Sequence, residues 1–204
     1  YTALVLAIEL ERLEFAKKLL AKGCNIPVKA FTLSKNNAPL LAAIKSASSE
    51  QKSALLVQAV EHSNTTAFKK IINEMHGLDT LPALERAIQD NSVEMVDILF
   101  GHGLNKIAAL EVAVKQWVKG DTSEESEVFK KLVDFNRNSL HSGLAALAEL
   151  HPGDSIRSQD EYLMLIHTFI ARDEDMRING EACYKVLTRA AERGNWNLVE
   201  ALIR

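Results

Sequence analysis

An eleven-residue pattern recurs at five places along the chain, and this repetition constrains the fold more than any other feature. The copies occupy Thr2–Arg12, Ala54–Asn64, Pro82–Ser92, Ala108–Val118 and Lys185–Asn195. Each copy carries Leu at its third place, Ala at its sixth, and an aliphatic residue or Ala at its seventh. Self-similarity of this kind is typical of stacked structural units rather than of one closed core.

A second pattern follows each copy of the first. LEFAKKLLAKGCN (Leu13–Asn25) aligns without a gap to VEMVDILFGHGLN (Val93–Asn105), and looser versions follow the other copies. Each version has two apolar pairs four residues apart, which therefore lie on one face of a helix. We predict that each unit is a short helix, a tight turn, a second helix and a connector. The small Ala allows neighbouring helices to approach closely, and stacking buries the faces that a single pair leaves exposed.

The units ALVLAIELERLEFAKKLLAKGCNI and KVLTRAAERGNWNLVEALI resemble the ankyrin repeat, whose signature is Leu-x-x-Ala-Ala-x-x-Gly followed by Leu-Val-x-x-Leu-Leu. The segment AAERGNWNLVEALI matches best and has Gly194 at the turn between the helices. Other copies replace this Gly with Glu11, Ser63 or Asn91. Asn tolerates a left-handed backbone, whereas Glu does so poorly. The family's Thr-Pro-Leu-His opening never appears whole.

The spacing of the copies departs from that of ankyrin. Between Ala54 and Ala108 the period is roughly 26 to 28 residues, against about 33 in ankyrin. The missing residues fall between Gly77 and Pro82 and between Gly103 and Ala108, where ankyrin units project β-hairpin fingers. We therefore predict an all-α, ankyrin-like α-solenoid of stacked helix-turn-helix repeats with short or absent fingers. Its single array of about seven helix pairs would cover residues 2–26, 27–49, 50–78, 79–105, 106–138, 139–178 and 179–204.

Residues 24–53 allow two parses. One places a full finger over Asn25–Asn37 and starts a helix at Ala38. The other starts a short helix at Pro27, because Pro suits the first helical position, and pairs it with APLLAAIKSA (Ala38–Ala47). We prefer the second parse, because it keeps the helices in alternating order and the period constant.

Three further segments carry specific expectations. The unit that opens at Ala108 has about seven extra residues before its second helix, in KQWVKGDTSEESE, and inserts of repeat proteins often map to the binding face. Its Trp117 belongs either to such a binding loop or to an extended first helix, where it would cover the core. Ser158 and Glu161 have the spacing of a capping box, which predicts a helix start. The charged segment Ala171–Gly180 is expected to be a solvated connector.

The composition is that of a folded, helical protein. Of 204 residues, 47% are hydrophobic, and only 4 are Pro and 9 are Gly, which argues against a disordered scaffold. Cys24 and Cys183 are too few for a disulfide framework, so we expect buried thiols in a reducing, intracellular compartment, cytoplasmic or nuclear. No apolar run approaches the roughly 20 residues of a transmembrane helix, so membrane insertion is not expected. Without an initiator Met, and with Arg204 ending a helix that lacks an exit signal, the chain is expected to be a piece of a longer protein.

No pattern of catalytic, cofactor-binding or metal-binding residues is present. None of the six His has the His-Glu-x-x-His spacing, and neither a phosphate-binding Gly-rich loop nor a Gly-x-Ser-x-Gly elbow occurs. We therefore expect neither an enzyme nor a cofactor in this chain. The net charge of −3 disfavours nucleic acid as a partner. The pairs Lys17-Lys18, Lys69-Lys70 and Lys130-Lys131 are expected to lie on a solvated outer face of the second helices.

Residues just after the repeated Ala vary from unit to unit, whereas the Leu and Ala positions stay fixed. The ankyrin resemblance implies a scaffold or adaptor for protein–protein interaction, with a protein partner bound on a concave groove. The candidate partner-binding residues are Glu9, Glu61, His62, Gln89, Asp90, Lys115, Gln116, Trp117, Glu192 and Arg193. The alternative is a regulatory or substrate-recruiting domain of a multidomain enzyme whose catalytic part lies outside this chain.

Overall fold

A computed structural model describes residues 2–150, 157–173 and 180–203. Over these residues the protein is helical and contains no strand, so the prediction of an all-α fold is confirmed there. A 3₁₀ turn, Ser34–Asn36, follows the third helix. The α-helices are α1 (Ala3–Glu9), α2 (Leu13–Ala21), α3 (Val28–Leu33), α4 (Ala38–Lys45), α5 (Ser49–Glu61), α6 (Thr65–Glu74), α7 (Leu81–Gln89), α8 (Val93–Gly101), α9 (Lys106–Lys119), α10 (Glu127–Phe135), α11 (His141–Glu149), α12 (Gln159–Arg172), α13 (Gly180–Glu192) and α14 (Trp196–Ile203).

The chain divides into two compact units, residues 1–102 and 103–204. In the first unit, α1 packs on α3, α3 on α5, and α5 on α7, while α2 packs on α4 and α6 on α8. In the second unit, α9 packs on α11 and α11 on α13, while α12 packs on α14. Each unit therefore stacks helix pairs in sequence order, with the odd-numbered first helices in one layer and the even-numbered second helices in the other.

The repeated Leu and Ala positions form the core of this stacking. The sixth-place alanines are at most 4% exposed: Ala7, Ala59, Ala87, Ala113 and Ala190. The third-place leucines are buried in four copies, and Leu187 of the last copy is half-buried. The predicted burial is confirmed for Leu84, Ala87, Ile88, Val96 and Leu99. The pattern therefore marks the residues that let one pair approach the next.

The turn after the first helix has the same geometry in four copies. A residue with left-handed backbone closes each turn, with φ of 55° at Glu11, 48° at Ser63, 52° at Asn91 and 68° at Gly194. The next residue donates its backbone N–H to the carbonyl of the repeated Ala at 2.8–2.9 Å, as from Arg12 to Ala7. The left-handed residue donates its own N–H to the carbonyl three residues earlier, as from Glu11 to Ile8 at 3.0 Å. The two bonds together are a Schellman motif, which satisfies the last carbonyls of the helix. The turn therefore forms with or without Gly.

The left-handed backbone at Glu11 is unfavourable for a residue with a side chain, so Glu11→Gly should stabilise the protein. A side chain in the left-handed region costs roughly 1–2 kcal/mol, whereas the extra chain entropy lost by Gly costs roughly 0.5–1 kcal/mol. We expect the free energy of unfolding to rise by about 0.5–1 kcal/mol, measured by urea denaturation. Asn91→Gly is the matched control and should gain less, because Asn tolerates this conformation. Equal gains at both positions would contradict the strain at Glu11.

The structure follows the second parse of residues 24–53. Pro27 precedes α3, and Asn37 caps α4 by accepting a hydrogen bond from the backbone N–H of Leu40 at 3.0 Å. The connectors from Gly77 to α7 and from Gly103 to α9 contain no strand. The predicted capping box is also present, with Ser158 at the N-cap of α12. Residues 174–179, which include most of the predicted charged connector, lie outside the described ranges.

Candidate functional site

The carboxyl ends of the first helices bring several candidate residues together in the first unit. Glu9 at the end of α1 forms a 2.7 Å ion pair with Lys29 of α3. The Arg86 guanidinium of α7 lies 2.9 Å from Asp90 and 3.6 Å from Glu61 at the end of α5. The hydrogen bond with Asp90 raises the pKa of Arg86, and the Glu61 charge adds to this effect. Ion pairs therefore join successive first helices along one exposed edge.

The remaining candidates of the first unit lie on the same edge. His62 follows Glu61 as the C-cap of α5, and Gln89 is the last residue of α7. Both side chains are exposed, as are Glu9, Glu61 and Asp90. We call these five residues the helix-end surface. It combines acidic, amide and imidazole groups at equivalent places after the repeated Ala of α1, α5 and α7.

Only part of the candidate set in the second unit is exposed. Glu192 and Arg193 lie in solvent at the end of α13, and Lys115 is half-buried in α9. The placement of Gln116 and Trp117 on a binding surface is wrong, because they are 5% and 1% exposed. The physical reason is that α9 continues for 14 residues to Lys119 and turns both side chains into the packed interior.

Trp117 is held by residues about 40 positions later in the sequence. The Arg157 guanidinium lies 5.2 Å from the centre of the Trp117 ring, and its Nε donates to the Trp117 carbonyl at 3.0 Å. The centroid of the Tyr162 ring lies 6.4 Å from that of the Trp117 ring. Arg157 also donates to the carbonyl of Thr122 and so ties down the segment after α9. Of the two possibilities for the insert, the extended helix that covers the core is the observed one.

A groove along α5 was not expected from the sequence. It has a volume of about 750 Å³ and lies entirely within the first unit. Ala54 and Val57 of α5 line it, together with Asn25 from the connector before α3 and Pro82 of α7. Its other lining residues are Ser49, Glu50, Ser53, Gln58, Glu61 and Asp79. We call it the α5 groove. Glu61 lines this groove and also belongs to the helix-end surface, so the two surfaces adjoin.

Side chains of α5 hold the connectors that form the groove walls. On one side, Gln58 Nε2 donates to Asn25 Oδ1 at 3.0 Å, and Gln51 Nε2 donates to the Cys24 carbonyl at 2.6 Å. On the other side, Ser53 Oγ accepts from the Asp79 backbone N–H at 3.2 Å. The Ser49 hydroxyl donates to the Gly77 carbonyl at 2.9 Å. Hydrogen bonds from one helix thus fix both short connectors.

The paired lysines of the second helices lie on a different face. Lys17 contacts Glu14 at 2.9 Å, Lys69 contacts Glu94 at 3.1 Å, and Lys130 contacts Glu125 at 2.9 Å. The side-chain hydrogen bond with Lys130 lowers the pKa of the Glu125 carboxyl, and its charge acts in the same direction. These lysines are partnered by carboxylates at the surface, which agrees with a solvated outer face.

No group of three or more His, Cys, Asp or Glu side chains suited to a metal ion occurs within 2–150, 157–173 or 180–203. In those ranges, no helix is both long and apolar enough to cross a bilayer. Cys24 and Cys183 are free and half-buried, less covered than the sequence suggested, and burial raises the pKa of the Cys24 thiol.

The geometry therefore presents two adjoining surfaces in the first unit, the helix-end surface and the α5 groove, and neither contains a catalytic constellation in the described residues. Comparison with known proteins adds no assignment: no protein-family model, no curated protein and no solved structure matches the chain.

Proposed function

We propose that the chain is an ankyrin-like protein-interaction module that binds a protein partner on the helix-end surface of its first unit. The observation that carries the proposal is the contrast between positions two residues apart. Ala7, Ala59 and Ala87 are identical and buried, whereas Glu9, Glu61 and Gln89 are exposed and not all alike. A constant scaffold with variable exposed positions is the arrangement by which repeat proteins present a binding surface.

The recurrent turn supports the ankyrin-like part of the proposal. After α1, α5, α7 and α13, the Schellman bonds close a turn in which a left-handed residue stands four positions after the repeated Ala. The helix ends therefore present their exposed side chains in an equivalent way from pair to pair. Mixed charge on the helix-end surface favours a partner recognised by several polar contacts rather than by one net charge.

The test is affinity capture with the whole chain as bait, compared with a triple variant of the helix-end surface. His62→Ala/Gln89→Ala/Asp90→Ala should reduce capture of the specific partner at least tenfold, because interfaces depend on a few central side chains. Its thermal midpoint should stay close to that of the parent, since these side chains are exposed. Captured proteins are quantified by mass spectrometry.

Lys17→Ala/Lys69→Ala is the matched control on the second-helix face. It should leave capture unchanged, because those lysines lie away from the proposed surface. If the lysine variant loses the partner while the triple variant keeps it, the interface lies on the outer face instead and the proposal is wrong.

A further inference from the structure

We propose that the α5 groove binds an extended peptide segment with two basic residues about five positions apart and an aliphatic residue between them. This proposal rests on the proposed function, since it names the kind of partner segment that the interaction module takes. Four properties of the groove lead to it: its charge, the direction of its axis, the apolar side chains between its two ends and its prebuilt walls.

The charge of the groove has one sign. Of its lining residues, Glu50, Glu61 and Asp79 are acidic, and none is Lys, Arg or His. Arg86 beside Glu61 makes its shorter contact, 2.9 Å, with Asp90, so it is shared between two carboxylates. A partner that enters the groove therefore meets a negative rim, and basic side chains are complementary to it.

The groove follows the axis of α5. Its lining positions on this helix are separated alternately by one and three residues from Ser49 to Glu61, as expected for one helical face. Glu50 and Glu61 are eleven residues apart on α5, which corresponds to about 16 Å at 1.5 Å per residue. An extended chain advances roughly 3.3 Å per residue, so about five residues span the two carboxylates. Two basic side chains about five positions apart would therefore reach both ends at once.

The lining between the two carboxylates includes two apolar side chains, Ala54 and Val57, beside Ser53 and Gln58. Ala54 lies four residues after Glu50, and Val57 lies four residues before Glu61, so both stand in the middle of the groove. Val57 is half-buried and Ala54 is exposed, which leaves apolar area to be covered. A small or medium aliphatic side chain between the two basic residues would cover it.

The walls are in place before binding. Gln58 and Gln51 fasten the connector at Cys24–Asn25, and Ser49 and Ser53 fasten the connector at 77–79. Because the walls of the groove are already ordered, binding loses little conformational entropy there, so a short segment can bind with useful affinity.

The experiment is selection of random nine-residue peptides, displayed on phage, against the whole chain. We expect enriched peptides to share two Lys or Arg four to six positions apart with an aliphatic residue between them. In fluorescence anisotropy with synthetic copies of these peptides, Glu50→Gln/Glu61→Gln should weaken binding at least tenfold. Val57→Ser should weaken binding without changing its dependence on salt, because it removes apolar contact and no charge.

Glu14→Gln/Glu94→Gln is the control, since it removes two carboxylates from the second helices and alters the net charge equally. It should bind the peptides like the parent chain. The proposal is overturned if the enriched peptides lack the basic pair, if both double variants bind alike, or if no peptide is enriched. If the peptide proposal is overturned but capture of a protein still depends on His62, Gln89 and Asp90, the proposed interaction module stands. Only the proposal that the α5 groove binds a basic peptide segment is then wrong. Selected peptides together with no captured protein would support the groove and count against the helix-end surface.

Discussion

Replacing Trp117 with Ala should lower the free energy of unfolding by about 3–5 kcal/mol, because a buried aromatic side chain leaves a large cavity. The ring is 1% exposed and packs near Arg157 and Tyr162. Its removal takes away the apolar contact with Tyr162 and the surface over which the guanidinium lies. Urea denaturation followed by circular dichroism measures the effect, since the substitution removes one of the two Trp fluorophores.

Trp117→Phe is the control for this prediction. It keeps an aromatic ring at the site, so its effect should be clearly smaller than that of Trp117→Ala. An unchanged unfolding midpoint in Trp117→Ala would show that the ring is not in the core, and would restore it as a candidate contact for a partner.

The second large effect is expected at Leu99, which is 1% exposed in α8. Leu99→Ala should cost about 2–5 kcal/mol of unfolding free energy, the range found when a buried Leu is truncated. Leu10→Ala deletes the same atoms from a side chain that is 61% exposed, so it should cost much less. Chemical denaturation of both variants compares burial directly, and similar losses would contradict the position of Leu99 in the core.

A larger side chain at Ala87 tests the same core by adding volume instead of removing it. Ala87 is fully buried where α7 approaches its neighbours, and Ala87→Leu inserts volume where none is available. Overpacking of this kind costs about 1–3 kcal/mol. If neither Ala87→Leu nor Leu99→Ala reduced stability, the register of the repeat would be wrong.

The sequence was sufficient for features that depend on local spacing. Identical Leu and Ala places predicted which side chains are buried, because a helical face is determined by intervals of three and four residues. The turn position that the resemblance assigns to Gly is left-handed at Glu11, Ser63 and Asn91 as well, although Glu adopts this conformation poorly. The Ser158 capping box likewise located the start of α12, because all of its bonds lie within four residues.

The features that the sequence did not disclose depend on residues far apart in the chain. Trp117 is contacted by Arg157, which is 40 residues away, and no spacing rule connects the two residues. The α5 groove depends on bonds from Gln51 and Gln58 to a connector 27 and 33 residues earlier. The sequence position of a Gln on a helix does not show whether its side chain bonds to a distant connector or is solvated. The candidate site was therefore predicted at the helix ends and missed along the groove.

Stacking in sequence order also bears on how each unit folds. A helix that packs on its own partner and on the next pair finds its neighbours within a few tens of residues. The entropy lost on closing such short loops is modest, and helical proteins with local contacts fold in about microseconds to milliseconds. Folding can begin at any sufficiently stable pair and extend to adjacent pairs. In the first unit, α5 is hydrogen-bonded to the connector before α3 and to the connector before α7, so pairs on both of its sides can extend from it.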